Sequence, residues 1–85
     1  MSGPRPRGEG RQFSREMTVA RIRERNDAAV EVMFLESVRI YKLYRQHPAF
    51  DRILRLLRDT LEARRALTVT LASVDSDVIE GAEGS

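Results

Sequence analysis

The chain has 85 residues and a formal charge of +2, with 41% hydrophobic and 33% charged residues, so it has room for one small domain and is too apolar for full disorder. Cysteine is absent and histidine occurs once, as His47, which removes disulfides, thiolate chemistry and His-rich metal sites from consideration. No apolar run approaches the roughly 20 residues of a membrane span. The charge is uneven along the chain. Residues 1–25 carry seven arginines against three glutamates, whereas 75–85 carry four acids and no base.

Residues 1–13 contain two prolines and three glycines and are expected to form a disordered basic arm. They lack the apolar core of a secretory signal, and an intracellular location is the expectation. Ser14 suits a helix N-cap, with Glu16 in the first turn where the helix dipole favours an acid. No proline or glycine occurs from Met17 to Tyr44. Val30, Met33, Phe34, Ser37, Tyr41 and Tyr44 recur at steps of three and four, which predicts a long helix over about 15–45. Asn26–Asp27 is a soft point within it. Pro48 ends that helix near Gln46 and opens a second, with Asp51 in its first turn.

Phe50, Ile53, Leu54, Leu57 and Leu61 repeat at helical spacing, giving a second helix over about 48–66. Residues 66–74 alternate apolar and small polar types like a strand, but Leu67, Leu71, Val74 and Val78 also fit helical spacing. Without a second strand to pair with, continuation of the helix to about 79 is the preferred reading. Residues 80–85 are expected to fray as an acidic tail. The expected fold is thus all-α: a helical hairpin domain over 14–79.

Such a hairpin cannot hide all of its apolar surface. Val32, Leu35 and Leu43 fall opposite the main stripe of the first helix, and Leu56, Leu67 and Leu71 add to the excess. Burying each large aliphatic is worth about 1.5–3 kcal/mol, so oligomerisation or docking to a partner protein would complete a bundle. These six residues are the candidate interface.

Catalytic, cofactor and metal sites are not expected. His47 abuts Pro48 in a turn, and the acidic tail lacks the spacing of a calcium loop. Arg52, Arg55 and Arg58 are interleaved with Asp51, Asp59 and Glu62 at spacings of four, a salt-bridged helix face rather than a phosphate ridge. Arg21, Arg23, Arg25, Arg64 and Arg65 remain as candidate anion contacts. The reading is a non-enzymatic helical assembly protein with a protein partner and no small-molecule substrate. The alternative is a nucleic-acid-binding regulator using the arginine-rich arm on a dimeric helical scaffold.

Overall fold

The computed structural model describes residues 13–24 and 27–84. It is dominated by antiparallel sheet rather than helix. The strands are β1 (Phe13–Arg23), β2 (Ala29–Phe34), β3 (Ile40–Tyr44), β4 (Ala66–Leu71) and β5 (Ile79–Gly84), with one helix, α1 (Phe50–Ala63), between β3 and β4. Their order in the sheet is β3-β2-β1-β4-β5. β1 is shared: Phe13–Thr18 pair with β4 and Val19–Arg23 pair with β2, and a register shift between Val19 and Arg21 marks the bend. At the far edges β3 and β5 meet through a single parallel bridge, Lys42 to Val78, so the sheet curls into a partly open barrel.

The all-α hairpin is therefore overturned. The segment expected as one helix over 15–45 is three strands. Its alternation is Val30, Val32, Phe34 and then Tyr41, Leu43, all buried, while Met33, Ile40 and Tyr44 face outward. The helical spacing mixed residues from both faces with Leu35, which lies in a turn. The continuation to 79 is also overturned, because Leu67, Val69 and Leu71 enter the core as alternate residues of β4. Residues 80–84 of the tail expected to fray belong to β5, and the register shift opposite Thr70/Leu71 turns both Ile79 and Ala82 inward. The expected basic arm lies outside the described residues apart from Phe13, which begins β1.

The second helix is present but shorter than expected. Ala49 is its N-cap and Asp51 occupies the first turn. It ends at Arg64, which adopts the left-handed conformation at φ 56° while its N–H and that of Arg65 close onto the Leu61 and Thr60 carbonyls. Ile53 and Leu57 are fully buried against the barrel mouth, and Thr60 is buried with its hydroxyl donating to the Leu56 and Leu57 carbonyls. Glu24, just after β1, pairs with Arg45 and with Arg58, tying the helix to the end of the barrel. Arg58 thus serves a tertiary contact.

This closure uses up the apolar excess on which the assembly reading stood. Val32, Leu43, Leu67 and Leu71 are at most 2% exposed, enclosed by the chain's own strands. The helical assembly scaffold is overturned with the fold, and so is the dimeric helical scaffold of the nucleic-acid alternative.

Candidate functional site

Chemistry at His47 is constrained by its hydrogen bonds. Its Nδ1 accepts from the Ala49 N–H at 2.9 Å, and its Nε2 lies 2.8 Å from the Glu80 carbonyl. A carbonyl only accepts, so the ring carries its proton on Nε2 and both nitrogens serve the backbone. His47 holds the turn before α1 against β5. Among the described residues, no three His, Asp or Glu side chains gather as a metal-binding group. Among the described residues, open grooves of about 520, 370 and 490 Å³ border α1, and Arg52, Arg55, Leu56, Asp59, Glu83 and Gly84 line the first. Their walls mix both signs of charge, and none is lined by His47.

The unusual surface is at the opposite end of the barrel from α1. There the β2–β3 loop, residues 35–39, lies beside the β4–β5 loop, residues 72–78. Leu35 is 70% exposed, Val38 103% and Val74 62%, and Ile40 beside them is 42% exposed. Single exposed aliphatics are ordinary; three on two adjoining loops with a fourth at the start of β3 are not.

The loop under Val38 is fastened on both sides. Leu35 donates its N–H to the Thr18 carbonyl at 2.9 Å, extending the ladder past the end of β2. The Glu36 carboxylate accepts from the Thr18 N–H and the Thr18 hydroxyl, each at 2.8 Å. Thr18 is where β1 passes from β4 to β2, so Glu36 supplies an acceptor at the crossing. Burial pushes the Glu36 carboxyl up, but the two Thr18 hydrogen bonds, its own backbone and the Arg15 charge outweigh this and hold it below its ordinary value. Ser37 Oγ accepts from the Arg39 N–H and from the Tyr41 hydroxyl, each at 3.2 Å. Tyr41 is itself buried, edge-on to Phe34 at 5.2 Å. On the far side, Arg39 Nη1 donates to the Asp75 carbonyl at 2.6 Å, joining the two loops. Val38 is left as a bare apolar tip on a fastened stem.

Of the residues singled out from sequence as an interface, only Leu35 reaches this surface. Leu56 is half-buried against α1's side of the core. The candidate anion contacts do not converge. Arg23 pairs with Glu31 at 3.2 Å, Arg21 stands exposed on the outer face of β1, Arg64 and Arg65 sit at the helix end, and Arg25 lies outside the described residues. Val38, Glu36, Ser37, Arg39 and Val74 were missed. A Glu-Ser turn signal between apolar runs was the available clue.

The connectivity defines a class: a five-stranded, partly open Greek-key barrel with its helix between the third and fourth strands. That is the arrangement of the oligonucleotide/oligosaccharide-binding barrel, a scaffold that hosts many unrelated functions. No known family and no curated protein matches the sequence. Among solved structures, the chain is similar to a pro-protein-glutaminase, with a TM-score of 0.72 and 17% identity over 82% of this chain. A mutant of pro-protein-glutaminase matches with the same TM-score, 0.72, at 15% identity over 88% of this chain. The chain spans only about a quarter of those structures, 24% and 25%. At these identities the likeness shows the fold alone.

Proposed function

We propose that this chain is a non-catalytic docking module that inserts the apolar tip of its 35–39 loop, flanked by Leu35, Ile40 and Val74, into a recess on a partner protein. The observation that carries the reading is Val38, fully exposed between neighbours that are each hydrogen-bonded in place. A loop ordered before binding loses little conformational entropy on docking, which is where rigid binding loops gain affinity. The convex, aliphatic tip fits an apolar pocket rather than a polar ligand.

Charge argues against nucleic acid as the occupant. The described residues carry eleven basic and twelve acidic side chains, because Arg5, Arg7, Arg11, Arg25 and Glu9 lie outside them. On the outer face of β1–β2–β3, where barrels of this class take oligonucleotides, Arg23 is matched by Glu31 and Lys42 by Asp77. Counterion release needs an uncompensated cationic track, and among the described residues these two pairs neutralise two of the cations of that face. The engagement of both His47 nitrogens supports a non-catalytic role.

The test is a photo-crosslinking amino acid placed at position 38 and, separately, at position 59 on α1, in the full chain expressed in its native host. A discrete adduct with another protein is expected from position 38, abolished by adding Leu35→Asp, and absent from position 59. Equal adducts from both positions, an adduct of twice the chain mass, or one with nucleic acid would overturn the proposal.

A further inference from the structure

We infer that β5 is a detachable strand, latched to the barrel by side chains and able to open while the rest of the fold stays intact. The inference comes from how the β3–β5 seam is closed. Four residues running from the β2–β3 loop into α1 meet four positions running along the 72–78 loop and β5 in the same order. Arg39 Nη1 donates to the Asp75 carbonyl at 2.6 Å, and Lys42 N–H donates to the Asp77 carbonyl at 2.8 Å. His47 Nε2 donates to the Glu80 carbonyl at 2.8 Å, and Arg52 Nη1 to the Ala82 carbonyl at 3.3 Å. Lys42 Nζ adds an ion pair to Asp77 Oδ2 at 3.2 Å.

The backbone pairing in this series is the Lys42–Val78 bridge, where Lys42 N–H reaches the Asp77 carbonyl, whereas the donors at Arg39, His47 and Arg52 are side chains. The Arg39 and His47 contacts are exposed to competition from water, the Arg52 contact is part-buried, and each long donor side chain loses rotamer freedom to make them. β5 is held by its pairing with β4 and by packing against α1, and brings few buried side chains of its own. It brings two buried side chains, Ile79 and Ala82, where β4 brings three, and its Gly81 and Gly84 raise the entropy cost of ordering it. Its other edge is held by the β4 ladder alone. Elements with few buried contacts and exposed hydrogen bonds open sub-globally, below the free energy of whole-domain unfolding.

Opening would also reach the docking loop, because the 72–78 segment carries Val74 and the carbonyl that holds Arg39. That consequence rests on the docking proposal, whereas the opening does not.

Native-state hydrogen exchange of the full chain, followed residue by residue by NMR, separates the two. The Gly81 and Glu83 amides should exchange at least about tenfold faster, relative to their intrinsic rates, than the Val30 and Val32 amides, with little dependence on low denaturant. Arg52→Met, which keeps the aliphatic stem and removes the donor, should speed the β5 amides roughly fivefold further and leave Val30 and Val32 unchanged. If β5 and β2 amides show the same protection in the unaltered chain, or respond together to Arg52→Met, the strand is part of one cooperative unit and the inference fails. Loss of docking with normal β5 exchange, or the reverse, distinguishes this from failure of the docking proposal.

Discussion

Leu43→Ala tests whether the aliphatic residues of the first half build an intramolecular core. Leu43 is 0% exposed and points into the barrel from β3, where its cross-strand partner is Val30, also fully buried. Truncation removes three carbon atoms and leaves a void that the packed barrel interior collapses poorly, a cost of about 2–5 kcal/mol. A domain of this size is stabilised by about 4–10 kcal/mol, taking roughly 0.05–0.15 kcal/mol per residue. The substitution therefore consumes a fifth of the stability at least, and can unfold the chain. At roughly 4–8 °C per kcal/mol, Tm should fall by 8 °C or more. Leu35→Ala, in the 70% exposed loop position, should change stability by less than about 0.5 kcal/mol. Urea unfolding of both variants, followed by circular dichroism with the molar mass checked by light scattering, reads the difference. If Leu43→Ala left the urea midpoint unchanged and instead altered the association state, the enclosed barrel core would be wrong.

Three further outcomes follow from individual contacts. Glu36 has a folded-state pKa below its unfolded value, so its contribution is present above the ordinary carboxylate range and is lost as pH falls from about 4.5 through the folded pKa; in Glu36→Gln that part of the acid limb should flatten, and a midpoint difference constant from pH 2.5 to 6 would contradict the Glu36–Thr18 hydrogen bonds. His47→Ala should cost about 0.5–1.5 kcal/mol by removing the bonds to the Ala49 N–H and the Glu80 carbonyl, whereas His47→Asn, with a carbonyl placed to receive the Ala49 N–H, should recover part of it in the same urea assay. Arg64→Gly should raise stability by about 0.5–1 kcal/mol in thermal melts, since a side chain at φ 56° is strained where glycine is not.

The sequence made α1 legible because Phe50, Ile53, Leu54, Leu57 and Leu61 crowd one face at helical spacing and Pro48 marks the start. The β1–β2–β3 meander was hidden by its own outer face. Met33, Ile40 and Tyr44 are apolar yet point outward, so the period of two in Val30-Val32-Phe34 and Tyr41-Leu43 merged into apparent steps of three and four. The turns gave no punctuation either, since residues 35–39 contain neither glycine nor proline. Once that stretch read as helix, the visible alternation in Leu67-Val69-Leu71 lacked a partner strand, and one wrong period propagated into the next element. β5, with sequence IEGAEG, has no strand propensity to detect and exists through its pairing with β4. The docking loop was least legible of all. Nothing local reveals that Glu36 would find Thr18 or that Arg39 would find the Asp75 carbonyl, and only Leu35 could be named as surface.

The sharing of β1 between two halves of the sheet imposes an order on how this chain comes into being. The meander joins neighbours in sequence and can assemble while the rest is still being synthesised. Phe13, however, waits for Leu71. β1 leaves the ribosome before β4 and is thus half-occupied for most of that interval, its open edge bare until α1 and β4 have emerged. Non-local pairing of that kind slows folding and leaves a template for unwanted partners. The Arg15 and Glu16 side chains, exposed on that waiting half, place charges along the edge during the interval when it is most open to aggregation.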